Sequence, residues 1–467
     1  MNVELLSRLQ FAFTIGFHYI FPPLTIGLGV LLVIMEGLYL KTKNKLYENL
    51  TRFWIKIFGL IFAIGVASGI VMEFQFGTNW ANYARFVGDI FGSALAAEGI
   101  FAFFLESGFL AILVFGWNRV GPKMHFFSTI MVSFGSMFSA VWIVIANSWQ
   151  QTPAGFHLVQ EGSRVRAELT DFWVAIFNHS TVDRLIHVLG GAWLAGSFLV
   201  ISVSAYYLLK KRHIEFAKAS MKIGLAFAMF ASLFQLFTGD QSGRMISVHQ
   251  PAKLAALEGH YDSTKPAALH LFGWVNEKKE RVEVGIAIPG LLSFLVHRNF
   301  SQPVIGLNDF PPSDRPPVNF VFQTFHIMVG IGVLLILLSL LGIIFWWRGT
   351  LWEKRWLLYI FVIAVLGPQI SNELGWFSAE VGRQPWIVYG LMRTSEGMSA
   401  AVNVGQNIFS LVLFLIIYSL LFVLFIFLLD RKIKHGPEDI EDHGSTYEAQ
   451  RHGLESLPII RKGKKKK

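Results

Sequence analysis

Blocks of apolar residues long enough to cross a lipid bilayer recur along this chain, and they exclude nearly every water-soluble fold. About 20 apolar residues in a helix match the ~30 Å hydrocarbon layer. Inside that layer each backbone polar group must be satisfied within its own segment, so each block reads as a helix. The blocks lie near 11–40, 54–76, 94–116, 125–148, 181–209, 219–238, 318–346, 356–376 and 403–429. They predict an all-α integral membrane protein of about nine transmembrane helices. Only 15% of the residues are charged, against about 25% in soluble domains. The first block is too long for a signal peptide's apolar region of about 7–15 residues. It reads as a retained first span, broken in its outer part by Pro22-Pro23.

The net charge of +9 does not point to nucleic acid once its placement is followed. Lys41, Lys43, Lys45 and Arg52 follow the first span, and Arg119 and Lys123 the third. Lys210, Lys211, Arg212 and Lys218 follow the fifth, Arg348, Lys354 and Arg355 the seventh, and Arg431, Lys432 and Lys434 the ninth. Every second connection is basic, so these face the cytoplasm by the positive-inside rule. The N-terminus is then outside and the C-terminus cytoplasmic, which requires an odd number of spans. The expected organisation is spans 1–6 within 1–238, an extracytoplasmic loop at 239–317, spans 7–9 within 318–430, and a charged tail at 431–467. Within the loop, 250–259 has helical spacing and 284–296 is apolar enough to rest at the membrane interface.

An ionisable residue at bilayer depth is costly and is a functional hypothesis by default. Of 14 His, three fall clearly inside spans: His18, His187 and His326. With no Cys in the chain, disulfides, iron–sulfur clusters, thiolate-ligated haem and covalent c-type haem are excluded. A metal or haem would need His, Met, Glu, Asp or Tyr. His187 lies in RLIHVLGGAWLAG, whose Gly190, Gly191, Ala192 and Gly196 leave one helix side bare. That suits the approach of a flat macrocycle, and equally plain helix packing. Met328, beside Gly330 and Gly332, could pair with a His as a low-spin axial set, but a Met in an apolar helix is far more often core filling. His18, His187 and Met328 fall in the outer halves of their spans, and Glu373 and Glu380 at the outer end of the eighth. This outward clustering is what a cofactor site near the outer surface requires.

Glu98 and Glu106 share the third span. Eight residues separate them by about 12 Å along a helix axis and about 80° around it. Buried carboxylates can carry protons at neutral pH, so the pair reads as two steps of a proton relay, or else as two packing acids with basic partners.

These residues stand in strings that resemble subunit I of the cytochrome bd oxidase family. LSRLQFAFTIGFHYIFPPLTIGL, AAEGIFAFFLES, FHIMVG and ELGWFSAEVGRQPW carry the likeness, which runs from about residue 1 to 430. The resemblance implies that His18, His187, Met328 and Glu380 are axial haem ligands, and that Glu98 and Glu106 carry protons. It implies a low-spin haem b on His187 and Met328, and a high-spin haem b and haem d pair served by His18 and Glu380, in an order it leaves open. Arg8, His326, Trp376, Arg383 and Gln384 fall where haem propionates or ligands would be supported. Where some members carry Arg two residues before the Met, this chain has His326.

GDQSG at 239–243, followed by KLAALE, resembles the start of the family's quinol loop in its short branch, which places Lys253 and Glu258 at quinol oxidation. On residue pattern alone the two are an ordinary solvated helical pair. The implied activity is quinol oxidation at the outer face with reduction of O₂ to water by cytoplasmic protons, generating a proton motive force without pumping. The implied partners are a second large membrane subunit and small single-span subunits. The implied location is a bacterial or archaeal cytoplasmic membrane. Two other classes compete: a di-haem electron-transfer subunit that never meets O₂, and an ion-coupled secondary transporter, for which no internal repeat is found.

Overall fold

The structure, a computed structural model, describes residues 3–438 apart from 163 and 264. Among the described residues nine helices are long and apolar enough to cross a membrane. They are α1 (Val3–Thr42), α2 (Lys45–Thr78), α3 (Gly88–Phe115), α4 (Pro122–Gln151), α5 (Thr181–Leu209), α6 (Ile214–His249), α7 (Val318–Trp347), α8 (Arg355–Val381) and α9 (Val404–His435). The chain is an all-α integral membrane protein. Residues 439–467, most of the expected charged tail, lie outside the described residues.

Local chemistry sets the ends of these helices. α1 is interrupted at Ile20, between Val3–Tyr19 and Phe21–Thr42. Pro22 and Pro23 sit in the first turn of the second half, where a missing N–H costs nothing. Asn44 caps α2 by accepting from the Leu46 N–H at 2.9 Å, and Pro122 opens α4. Asn403 and Gln406 form a reciprocal capping box at the start of α9. α6 continues through 239–249, so the long connection begins about three helical turns beyond the predicted boundary at 239, and more polar residues join the helix than hydropathy alone allows.

The connections after α4, α6 and α8 lie on one side of the bundle, and each carries a two-stranded antiparallel hairpin. These are β1–β2 (Phe156–Glu161, Arg164–Leu169), β3–β4 (Leu269–Asn276, Arg281–Ile288) and β5–β6 (Trp386–Val388, Met392–Arg393). Segment 284–296 is thus the end of β4, a turn at Gly290 and the short helix Leu291–His297.

α5 is the most enclosed span, with 72% of its apolar window buried, and α9 the least, with 11%. α5 packs on α6 and on α1. Against α1 the approach is backbone to backbone: a Cβ on Gly196 would collide with Gly27, and one on Gly27 with Ala192 and Gly196. The buried core includes Phe21, Met35, Trp54, Phe58 and Phe198, and the Trp54 indole donates to Ser220 at 3.1 Å.

Candidate functional site

One cavity of about 2700 Å³ opens among the helices near the hairpin side. Ordinary ligand pockets hold roughly 300–1,000 Å³, so this one has room for several large groups. His18, His187, Met328, Glu380, Glu98, Glu106, Lys253, Glu258, Arg8, His326, Trp376, Arg383 and Gln384 all line it. The residues come from five spans, the long connection and the segment just after α8, and the fold brings them to one space.

The two deep histidines have the same local arrangement. His18 Nδ1 lies 3.0 Å from Ser68 Oγ, and that hydroxyl already donates to the carbonyls of Ile64 and Gly65, each at 3.0 Å. His187 Nδ1 lies 3.1 Å from Thr238 Oγ1, whose hydroxyl donates to the Gln235 carbonyl. A hydroxyl whose proton goes to a backbone carbonyl accepts from the ring, and an Nδ1–H donor leaves the Nε2 lone pair for a metal. The Gln235 amide nitrogen, 3.1 Å from His187 Nε2, fits an accepting Nε2. A neutral ring with its second nitrogen tied to a partner is the form that ligates metals. Ser68 and Thr238 have no sequence signal, because serines and threonines are common in membrane helices.

The glycines divide into two groups. Gly190 and Gly191 abut the side chains of Gln235 and Asn372, and Gly196 abuts Gly27. Of the two uses the sequence allows for this face, these contacts are those of helix packing, while Ala192 lines the cavity. Gly330 and Gly332 near Met328 have open space where a Cβ would point and line the cavity. Gly375 on α8 is the position that makes room for the thioether: a Cβ there would sit 2.9 Å from Met328 Sδ.

Around Glu380 the polar residues form a continuous network. Its Oε1 accepts from Asn147 Nδ2 at 2.9 Å and Gln151 Nε2 at 3.2 Å, and its Oε2 pairs with Arg383. Arg184 donates to Asn147 Oδ1, and Arg383 also reaches Gln150. Lys253, on the helix Pro251–Glu258, donates to Gln151 at 2.5 Å and Gln250 at 2.6 Å. Arg184, Lys253 and Arg383 thus interact around one carboxylate, and the buried Arg184 Nε has no hydrogen-bond partner. Buried cations need anions. The two guanidiniums outnumber the carboxylate, and this surplus positive charge at the cavity wall fits a cofactor that carries carboxylates, as haem propionates do. Arg184, Asn147, Gln150 and Gln151 escape sequence reasoning because they look like ordinary residues of span ends. Arg8 is further out and partly exposed, paired with Glu4 at 3.8 Å.

Glu98 donates its place in α3 to a π-turn, Glu98–Phe103. A π-turn absorbs one extra residue, which removes about 100° of rotation. The two carboxylates, expected about 80° apart, come to within about 20° of each other. Both then meet α4: Ser139 donates to Glu98 Oε1 at 2.6 Å, and Ser136 donates to Glu106 Oε1.

Lys253 and Glu258 are buried, not solvated, at 3% and 4% exposure, because their helix packs under the long connection against α6 and α7. Burial, then Arg184 and Arg383, pulls the Lys253 ammonium well below its usual range. Burial pushes the Glu258 carboxyl up to about 8, and its Oε2 has no hydrogen-bond partner. The His270 ring bonds the Glu258 backbone, and His326 Nε2 lies 2.8 Å from the His270 carbonyl. The other His326 nitrogen lies 2.9 Å from the Phe322 carbonyl. His326 therefore ties α7 to β3 beside Glu258.

Residues 6–437 match the family described as cytochrome bd terminal oxidase subunit I. The chain is 40% identical to cytochrome bd ubiquinol oxidase subunit 1 of Bacillus subtilis, covering 95% of this chain and 96% of that one. It is 35% identical to cytochrome bd-II ubiquinol oxidase subunit 1 of Escherichia coli, covering 94% and 98%. Among solved structures, the bd oxidase from Geobacillus thermodenitrificans superposes with a TM-score of 0.86 at 32% identity, over 93% of this chain and 99% of that one. With a family match over nearly its whole length and a fold shared with a solved oxidase, the chain belongs to the cytochrome bd terminal oxidase subunit I family.

Proposed function

We propose that this chain is the haem-bearing catalytic subunit of a quinol-oxidising bd-type terminal oxidase in a bacterial or archaeal cytoplasmic membrane. The observation that carries the reading is the cavity onto which two histidines, each held through Nδ1 by a hydroxyl, Met328, Glu380 and the guanidiniums of Arg184 and Arg383 converge. His187 and Met328 would hold a low-spin haem b; His18 and Glu380 would serve a high-spin haem b and haem d. When bound, these groups supply one-electron relay and reduction of O₂ to water.

The chain's own residues do the rest. Lys253 and Glu258 receive quinol at the hairpin side, which alternate-connection charge makes the outer face, with the C-terminus cytoplasmic. Glu258, neutral at pH 7 through burial, becomes a proton acceptor as pH approaches about 8. His326 and His270 brace it. Arg184 and Arg383 offset propionate charge, with Trp376, Gln384 and Arg8 as further wall residues. Ser136 and Ser139 hold Glu106 and Glu98 in line to pass protons from the cytoplasmic side towards the cavity. Quinol protons leave outside while water-forming protons enter from inside, which separates charge without pumping. A second large membrane subunit, with small single-span subunits, completes the complex.

Glu258→Gln tests this reading, because it keeps the buried group neutral and isosteric. The expected outcome is intact haem spectra and O₂ reduction from an artificial donor, with quinol turnover reduced roughly 100-fold. Wild-type quinol turnover should rise with pH towards about 8, a rise absent with the artificial donor. Full quinol activity in Glu258→Gln would contradict the loop assignment.

A further inference from the structure

Near the basic-connection end of the bundle lies a buried acid–base pair that the site above does not use. Glu36 on α1 and His125 on α4 are 1% and 2% exposed, and Glu36 Oε1 lies 2.7 Å from His125 Nδ1. Thr129 donates to Glu36 Oε2 at 2.5 Å, and His125 Nε2 lies 3.1 Å from the Leu113 carbonyl. Because Nε2–H is committed to that carbonyl, one proton is left to share between Nδ1 and Oε1. Carboxylate with imidazolium and carboxylic acid with imidazole are the same unit, and either form is neutral overall. On gaining a proton the unit becomes a carboxylic acid beside an imidazolium, whose single positive charge is shared by the ring and held by the Leu113 carbonyl. Packing alone gives no reason for it, since apolar residues would hold these helices without the desolvation cost of an ion pair.

Charged groups lie on the aqueous side of the pair and hydroxyl groups on its inward side. On the aqueous side the Trp117 ring covers His125, with centroids 4.2 Å apart, and its indole donates to Glu48 at 3.0 Å. Glu48 also holds Arg52 at 2.7 Å and Lys45 at 3.3 Å, and Lys45 is 57% exposed. Tyr39 lies within electrostatic reach of both Glu48 and Glu36. These are the charged or titratable groups of α1, α2 and the α3–α4 connection near the pair.

Inward, α4 presents His125, Thr129, Ser133 and Ser136 on one face, spaced by four, four and three residues, about 16 Å in all. All three hydroxyl residues are buried. Gly29 of α1 faces Ser133: a Cβ there would lie 3.3 Å from its hydroxyl. Ser136 then meets Glu106.

We infer that the Glu36–His125 pair is the proton-loading station for the Glu106–Glu98 relay, feeding it through Thr129 and Ser133 along α4 within this one chain. This rests on the relay reading and extends it upstream. A proton arriving from water is taken up by the pair. The pair passes one proton through the Thr129 hydroxyl, which donates to Glu36 at rest and turns to accept from the protonated carboxyl as it releases its own proton onward. Single waters span the steps to Ser133 and Ser136. The pair returns to its starting charge each time, and the proton ends in product water.

The test uses the assembled oxidase reconstituted in vesicles, comparing Glu36→Gln, Thr129→Val and Glu106→Gln with wild type. The readouts are haem spectra, O₂ turnover, proton uptake from the cytoplasmic side, and the solvent deuterium effect on reoxidation of the reduced enzyme by O₂. The expected result for Glu36→Gln is an unchanged spectrum, turnover and proton uptake slowed at least about tenfold, and an increased deuterium effect. Thr129→Val, which removes only the hydroxyl, should slow the same step, and it decides the matter if Glu36→Gln fails to assemble. Wild-type uptake in Glu36→Gln or Thr129→Val beside a slow Glu106→Gln would overturn the station and leave the relay standing. Wild-type uptake in all three would overturn the relay itself.

Discussion

At the scale of single residues, the site depends as much on hydroxyl groups as on the side chains that stand out in the sequence. Ser68 and Thr238 each hydrogen-bond Nδ1 of a deep-set histidine, and the ring nitrogen left over is the one a metal would take. Replacing a group that orients a ligating histidine typically weakens metal binding about 10–100-fold. Thr238→Val should therefore lower retention of the low-spin haem by that order during purification and shift its midpoint potential, read by redox titration of the reduced spectrum. An unchanged spectrum and potential would show that Thr238 does not set the tautomer. The histidines themselves were legible, because an imidazole inside an apolar run has few bland explanations. Met328 and Glu380 became visible only through the resemblance, since a Met in an apolar helix and a Glu at a span end are unremarkable by pattern. Arg184 and Asn147 were not legible at all: their meaning comes from neighbours on other helices.

At the scale of elements, hydropathy located all nine spans and proline chemistry located the break in α1, since both are local properties. The hairpins of the long connections were missed. Their apolar residues, such as Phe272 and Ile286, are exposed and leave no burial alternation to read. The π-turn in α3 was also beyond local reasoning. Ideal geometry left Glu98 and Glu106 about 80° apart, and only packing against α4 requires the extra residue that brings them together. Deleting the exposed Ile100 from this turn would restore an α-helical repeat and rotate Glu98 away from Ser139 by about 100°. The expected outcome is an assembled, haem-loaded enzyme with slowed proton uptake, measured as pH change outside uptake-competent vesicles. Uptake at the wild-type rate would show that the π-turn is not needed for the relay.

At the scale of the whole molecule, polarity is distributed along the membrane normal. The cavity lies towards the hairpin side, the buried Glu36–His125 pair towards the basic connections, and α4 runs between them. Charge placement along the sequence gives this asymmetry without any coordinates, because the positive-inside rule acts on whole connections. The outermost helices leave broad apolar faces uncovered within this chain: α3 and α7 each have only 17% of their apolar windows buried, and α9 has 11%. Lipid and the proposed partner subunit would divide those faces.

The central claim is that one cavity holds low-spin and high-spin haems that take electrons from quinol to O₂. A reduced-minus-oxidised absorption spectrum of the purified complex tests it most directly. The account predicts low-spin haem b bands together with high-spin haem b features and the far-red band of haem d. A spectrum without haem absorption, or one with low-spin bands alone, would contradict it.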